Sequence, residues 1–143
     1  MSLKVCIMAP DRVFWNASAD EIILPTNTGQ MGVLTNHTPL ITGLDIGVML
    51  VRPEKTSGST TESGSWISMA LMGGFALIKD NTVTILVNDA ELGSSIDPTL
   101  AEKSFTEAQA ALEKSALAGR KEKIEASLAF KRARARMQLV AQK

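Results

Sequence analysis

The sequence has little of what metal sites, disulfides and nucleic-acid contacts need. It contains one cysteine, one histidine and no tyrosine in 143 residues, and aromatic residues make up only 4%. A single cysteine, Cys6, excludes an internal disulfide, which suits a reducing compartment. One histidine and one cysteine cannot supply the usual ligands of a zinc site. A net charge of zero with so few aromatic residues argues against nucleic-acid binding.

The sequence also has no long apolar run. The longest, Trp66–Ile78, spans 13 residues and contains Gly73 and Gly74, whereas a helix that crosses a bilayer needs about 20 apolar residues. The first residues resemble neither a signal peptide nor a basic transit segment. These absences predict a soluble protein that acts in the compartment where it is made.

Sequence motifs of common enzymes are missing as well. There is no G-x-x-x-x-G-K-[ST] loop, no H-E-x-x-H and no G-x-S-x-G, so we predict that the chain is not an enzyme. His37 lies in the turn-like segment TNHTP, where a structural or contact role is favoured over catalysis. Asp89 and Glu91 in NDAELG are interpreted as solvated turn residues. A small hydrolase built around His37 stays as a minor alternative.

The two ends of the chain differ in charge. Residues 1–96 contain 5 basic and 9 acidic residues, and residues 97–143 contain 10 basic and 6 acidic ones. The segment FKRARARMQ, Phe130–Gln138, is the most basic part. Such runs are usually solvated helix faces, and an acidic protein surface is the partner that fits this one best.

Residues 1–92 show the pattern of a β domain. Short segments rich in β-branched or aromatic residues are separated by Gly, Pro, Asn or Asp, with no room for crossover helices. This spacing predicts a flattened antiparallel β-sandwich or barrel. The polar stretch Pro53–Ser65 is predicted to be a surface hairpin loop. The candidate strands are LKVCIM, RVFWN, DEIILP, GVLTN, PLITG, DIGVMLVRP, SWISMALM, GFALIKD and TVTILVND.

Residues 93–143 have the period of helices. Asp97 and Pro98 form a helix start, and Gly119 is placed where that helix would stop. Two apolar stripes at helical spacing predict an antiparallel two-helix hairpin. The first stripe is Ala101, Phe105, Ala108 and Leu112, and the second is Ile124, Leu128, Ala135 and Leu139.

The hairpin contains eleven alanines. Alanine favours helix formation, but its methyl group contributes only about 0.8 kcal/mol on burial, against roughly 1.5–3 kcal/mol for a leucine side chain. We therefore expect two good helices that pack weakly against each other.

Several segments together resemble the epsilon subunit of rotary F-type ATP synthases, of the chloroplast and cyanobacterial type. The resemblance covers the whole chain except the Pro53–Ser65 loop. It implies a flattened ten-stranded β-sandwich followed by a two-helix hairpin, in a non-catalytic subunit of the central stalk. The segments are LPTNTGQMGVLTNHTPLITGLDIG, MALMGGFALI, VTILVNDAELGSSID and the Ala/Arg-rich hairpin.

The resemblance also implies partners. The sandwich would contact the gamma subunit and the c-ring through Thr28, Gln30, Met31 and His37. The hairpin would extend and bring its last helix to an acidic segment of the beta subunits, which restrains ATP hydrolysis. The matching basic residues are Lys131, Arg132, Arg134 and Arg136. No cofactor, small-molecule substrate or nucleic acid is implied.

The implied location is the stromal side of the chloroplast thylakoid membrane, as a peripheral subunit. A cyanobacterial thylakoid or the cytoplasmic side of a bacterial inner membrane is the alternative.

One position departs from the family pattern. Relatives that bind ATP in the hairpin resemble I-D-x-x-R-A at the start of the first helix, and this chain has IDPTLA, with Leu100 in the place of the arginine. Because leucine donates no hydrogen bond, we predict weak or absent ATP binding. The alternative from another functional class is a free-standing β-sandwich adaptor whose basic hairpin binds an acidic partner.

Overall fold

The computed structural model describes residues 2–54, 66–117 and 119–141. Seven strands precede two α helices, with short 3-10 segments at Gly93–Ser95 and Ser115–Leu117. Beyond Pro53 and Glu54, the predicted Pro53–Ser65 loop lies outside the described residues. No helix in the described ranges is long and apolar enough to cross a membrane. The elements are β1 Leu3–Ala9, β2 Arg12–Thr26, β3 Gly29–Val33, β4 Leu40–Pro53, β5 Ile67–Lys79, β6 Thr82–Val87, β7 Ala90–Leu92, α1 Pro98–Lys114 and α2 Arg120–Ala141.

The strands form one sheet that closes on itself. Its order is β1-β6-β5-β4-β2, and β2 also pairs with β1; β3 extends from β2, and β7 pairs with β5. This confirms the flattened β-sandwich followed by two helices. All pairs are antiparallel except β1–β6, which is parallel. A ring of five strands cannot alternate direction throughout, so one parallel pair is required in a sheet that is otherwise antiparallel as predicted.

Long strands replace several of the short ones predicted. β2, β4 and β5 have 15, 14 and 13 residues, and each joins two predicted segments. β5 is interrupted only by Gly73 and Gly74, which have φ of +83° and +154°. Before them Met69 and Leu71 are buried, and after them Ala76 and Ile78 are buried. The glycines therefore bend the strand and change which alternate residues face inward.

The bends let each long strand contribute to both layers of the sandwich. Register shifts in the β2–β4 pairing mark the bends on the other strands. One layer, called the helix-bearing layer, contains Ile46–Pro53 of β4 and Ile67–Met72 of β5. The opposite layer, called the open layer, contains Leu40–Leu44, Gly74–Lys79, β6 and β1. Between them, the described residues form a core that contains 18 buried apolar side chains.

The first helix starts where predicted but ends earlier. The Asp97 carboxylate accepts hydrogen bonds from the N–H groups of Thr99 and Leu100, at 2.8 and 3.3 Å. α1 ends at Lys114 and passes into a 3-10 turn. Gly119 does not cap it. The carbonyl of Gly119 instead accepts the N–H of Lys123, in the first turn of α2.

Only half of the second apolar stripe is buried. Ala135 and Leu139 are 1% and 0% exposed, but Ile124 is 50% and Leu128 38% exposed. The reason is that only the C-terminal half of α2 packs on the sandwich, next to β4 and β5. The first stripe is better predicted, because Ala101 is buried and the other three residues are partly buried.

Candidate interaction surfaces

The open layer presents apolar side chains to solvent. Phe75 of β5 lies opposite Leu86 of β6, Leu86 lies opposite Met8 of β1, and Met8 lies opposite Val13 of β2. In the next row Ile41 of β4 lies opposite Leu77 of β5. Met8 is partly buried, and the exposed fraction of the other five residues runs from 43% for Leu77 to 71% for Ile41. We call this surface the apolar face: Val13, Ile41, Phe75, Leu77 and Leu86.

A patch of this kind is typical of interaction surfaces, because isolated exposed apolar residues are common but clustered ones are not. Sequence analysis did not identify it. The available signal was that the second half of β5 has apolar residues at both alternate positions, and that in β6 Leu86 stands between the buried Ile85 and Val87. A strand with only one buried face would instead be polar at every second residue.

The predicted c-ring contact lies at the turn between β2 and β3. The Thr26 hydroxyl donates to the carbonyl of Gly29 and accepts from the N–H of Thr28, and Gly29 has φ of +123°. These bonds stabilise a tight turn in which Thr28 and Gln30 are exposed. Met31 is only partly buried and packs against the core. The turn therefore displays a small polar surface on a rigid support.

His37 lies at a different turn. The N–H of Asn36, which has φ of +65°, donates to the Asn81 carboxamide oxygen at 2.6 Å, so this loop is attached to the β5–β6 turn. The His37 Nδ1 is 2.7 Å from the carbonyl oxygen of Thr38. The β2–β3 turn instead lies beside Leu44, which pairs with Gly74. Roughly 20 Å of strand β5 separates Gly74 from Asn81, so His37 and Gln30 do not share one site.

Helix α2 covers the outer surface of the helix-bearing layer. Ala135 and Leu139 pack against Val48, Ala70 and Met72 in a small cluster separate from the main core. Among the described side chains, Ala135 and Leu139 are the only residues that α2 contributes to the buried part of this cluster. The apolar attachment of the hairpin is therefore limited to one leucine and one alanine, with partly buried neighbours.

Two ion pairs flank this cluster. Arg136 Nε and Nη2 donate to the two carboxylate oxygens of Glu91 at 2.7 and 3.0 Å. Lys131 Nζ lies 3.6 Å from Asp45 Oδ1. The hydrogen bonds to Glu91 raise the pKa of Arg136 above its usual value against the effect of burial, and the charges of Glu91 and Asp89 add to this. The interpretation of Glu91 as a solvated turn residue was wrong: Glu91 lies in β7 and binds the helix.

The other two basic residues of the helix face solvent. Arg132 and Arg134 are exposed, and the Arg134 guanidinium lies 5.7 Å from the centre of the Phe130 ring. The four predicted contact residues thus do not form one patch in this conformation. Lys131 and Arg136 bind the sandwich, whereas Arg132 and Arg134 are available to a partner.

The seam between α1 and α2 contains small side chains. Ala101 and Ala133 are each 3% exposed, and the rings of Phe105 and Phe130 meet with centroids 5.5 Å apart. Near the turn the helices leave an open groove of about 460 Å³, which Ala111, Ser115 and Ala126 help to line. The weakness of the seam stays a prediction.

A second groove, of about 330 Å³, lies beside Leu100, the position at which the ATP-binding relatives resemble a pattern with arginine. It is lined by residues of both domains, including Glu91, Asp97, Leu100 and Arg136. Leu100 is 62% exposed there, and the Arg136 guanidinium is bound to Glu91. A ligand in this groove would therefore meet a leucine side chain and an arginine whose guanidinium is already bound to Glu91. Among the described residues there is no cluster of three or more metal-binding side chains.

Comparison with known families matches both parts of the chain. Residues 2–93 match the model "ATP synthase, Delta/Epsilon chain, beta-sandwich domain", and residues 94–141 match "ATP synthase, Delta/Epsilon chain, long alpha-helix domain". The chain is 61% identical over 140 residues to the chloroplastic ATP synthase epsilon chain of Tupiella akineta, covering 98% of this chain and 99% of the relative. It is 62% identical over 139 residues to that of Nephroselmis olivacea, covering 97% and 96%.

Solved structures with the same fold come from rotary ATP synthases. A chain of the Euglena gracilis mitochondrial ATP synthase (OSCP/F1/c-ring) superposes with a TM-score of 0.78 at 23% identity, covering 99% of this chain and 82% of that one. A chain from the central stalk/c-ring of the Tetrahymena thermophila mitochondrial enzyme gives 0.58 at 19% identity, with 96% of each chain covered. At these identities the likeness is one of fold.

Proposed function

Because the chain belongs to the delta/epsilon family of ATP synthase subunits, as an epsilon chain, we propose that it couples proton translocation to ATP synthesis and restrains ATP hydrolysis through its hairpin. An epsilon chain is a non-catalytic subunit, and membership of this family replaces the alternative of a free-standing adaptor. The observation that supports the proposal is the contrast between the two outer surfaces of the sandwich. One is apolar and exposed, and the other is covered by a basic helix.

We propose that the gamma subunit binds to the apolar face. It spans four strands of a closed sheet, so it is held rigid and loses little conformational entropy when a partner binds. The rotor has to transmit torque, which requires a partner surface that does not deform. The β2–β3 turn, with Thr28, Gln30 and Met31, is the proposed contact with polar loops of the c-ring. His37 lies in the separate loop that is attached to the β5–β6 turn, and we propose that it contacts the rotor there, apart from the c-ring contact.

The hairpin is the proposed inhibitory element. In the docked conformation Arg132 and Arg134 are exposed, and release of α2 would free Lys131 and Arg136 as well. All four could then approach an acidic segment of the beta subunits and impede rotation. A complete switch from a 1:99 to a 99:1 population needs about 5.5 kcal/mol of differential binding. Several charge pairs together with new apolar contacts could supply this difference.

The chloroplastic relatives support a location in the chloroplast. Within it, we propose that the chain is a peripheral subunit on the stromal side of the thylakoid membrane.

Truncation of the hairpin tests the inhibitory role. Removing residues 97–143 from the assembled enzyme should leave assembly intact, because the 18-residue core lies in the sandwich, and should raise latent ATPase activity severalfold. Replacing Lys131, Arg132, Arg134 and Arg136 with Ala should raise it in the same direction, more visibly at low ionic strength. Unchanged ATPase activity in both variants would contradict the inhibitory role.

A charge on the apolar face tests the rotor contact. Phe75→Glu should weaken binding of purified gamma subunit at least tenfold, because the carboxylate would have to be desolvated in the interface. Leu100→Glu is the matched control, since Leu100 is 62% and Phe75 63% exposed and Leu100 lies outside the face. Equal binding by the two variants would show that gamma does not use this surface.

A further inference from the structure

We propose that Glu91 and Asp45 form an ionic clasp that holds α2 on the sandwich by occupying Arg136 and Lys131. The clasp involves only residues of this chain and needs no partner. Its regulatory effect rests on the proposed function. Because the docked helix and the inhibitory contact both use Lys131 and Arg136, the two arrangements exclude each other. Asp45 and Glu91 then act as intramolecular competitors of the acidic partner.

The position of the pairs supports this role. Lys131 and Arg136 lie on either side of Ala133 and next to the Ala135–Leu139 contact, and their partners belong to different strands, β4 and β7. Leu139 lies close to Gly93, at the end of β7. The ion pairs therefore flank the small apolar contact from two sides. Releasing both pairs would leave the helix attached to the sandwich mainly by one leucine and one alanine.

The two pairs are unequal. The Arg136–Glu91 pair is bidentate, with two hydrogen bonds of 2.7 and 3.0 Å between side chains that are 31% and 29% exposed. The Lys131–Asp45 pair is a single contact of 3.6 Å between side chains that are 37% and 40% exposed. Bidentate charge-assisted bonds are the stronger class, and exposed pairs contribute little. Glu91 should therefore be the principal half of the clasp.

Hydrogen exchange of the isolated full chain tests the clasp without any ATPase measurement. Glu91→Gln removes the charge and keeps the size of the side chain. At about 10 mM salt it should speed exchange of the amides in residues 133–139 roughly three- to tenfold. The effect should shrink at about 1 M salt, where charges are screened within a few ångströms. Asp45→Asn should act in the same direction with a smaller factor.

A second ion pair provides the matched control. Arg52 and Glu21 are 3.1 Å apart and 31% and 26% exposed, but both lie in strands of the sandwich. Glu21→Gln should leave exchange of residues 133–139 unchanged. If it speeds their exchange as much as Glu91→Gln does, or if Glu91→Gln has no effect, the clasp is refuted.

A charge exchange separates the clasp from the inhibitory contact. The double variant Glu91→Arg with Arg136→Glu should recover most of the protection of α2 that Glu91→Gln loses, which excludes a general loss of folding as the cause. In the assembled enzyme the same variant should inhibit hydrolysis less, since residue 136 no longer attracts an acidic partner. Failure to recover protection overturns the clasp, and recovered protection with unchanged inhibition overturns only the shared use of Arg136.

Discussion

The sandwich and the hairpin are stabilised to very different degrees. The sandwich has 18 buried apolar residues in one cluster, most of them Val, Leu, Ile or Met. In the described part of the hairpin the buried apolar residues are Ala101, Ala133, Ala135 and Leu139. A buried leucine contributes roughly 1.5–3 kcal/mol and a methyl group about 0.8 kcal/mol. Burial of apolar side chains therefore stabilises the docked hairpin much less than it stabilises the sandwich.

This difference suggests how one chain can be both a rigid support and a movable arm. Elements with few buried apolar contacts open at low free energy, while elements with many open only on global unfolding. A domain that attaches to the rotor should open only on global unfolding, whereas a regulatory element should open at low free energy. The following predictions test this contrast, beginning with the largest effect.

Gly74→Ala should cause the largest loss of stability. A Cβ at this position would lie 1.9 Å from the Leu86 carbonyl oxygen, and the backbone has φ of +154°. The strand would have to shift away from β6, so we expect the free energy of unfolding to fall by more than about 3 kcal/mol, measured by urea denaturation. Gly32→Ala is the control, because a Cβ there meets no atom within 4 Å. A similar loss in both variants would contradict this role of the bend.

Two leucines of equal burial provide a direct comparison of the domains. Leu71 and Leu139 are both 0% exposed, one in the sandwich core and one between α2 and the sandwich. Leu71→Ala should lower the free energy of global unfolding by about 2–5 kcal/mol. Leu139→Ala should leave global unfolding of the strands almost unchanged and speed hydrogen exchange only in the helices. A global loss of the same size in both variants would mean that the two domains unfold as one unit.

Removing the cap of α1 should have a smaller effect. Asp97→Ala deletes the acceptor of the Thr99 and Leu100 N–H groups, which should destabilise the helix by about 1 kcal/mol. Hydrogen exchange of the first turns of α1 measures this loss. Asp97→Asn keeps an acceptor and should behave nearly as the native chain, so equal effects of Ala and Asn would assign the loss to charge rather than capping.

ATP should have the smallest effect of all. Titration of the isolated chain with ATP, followed by calorimetry, should detect no binding at millimolar or lower concentration, because Leu100 donates no hydrogen bond and Arg136 is engaged by Glu91. Leu100→Arg adds the missing donor and serves as the comparison. Micromolar affinity in the native chain would contradict the prediction and would mean that a ligand stabilises the docked hairpin.

Much of the fold was predictable because the signals are local. The alternation in β6 gave a strand with Val83, Ile85 and Val87 buried, and Asp97 with Pro98 marked the start of α1. Other predictions failed where burial depends on distant elements. Ile124 and Leu128 fit a helical stripe, but the part of α2 that contains them does not pack on the sandwich, so they stay exposed.

Local chemistry in the sequence therefore determined the two kinds of secondary structure, the alanine-rich composition of the seam and the family to which the chain belongs. Only the tertiary structure decided which charges meet and which apolar residues stay outside. Glu91 and Arg136 are 45 positions apart, and the apolar face combines residues of four strands. Burial and ion pairing depend on distances in space. For residues that are far apart in the sequence, these distances are set only when the chain folds.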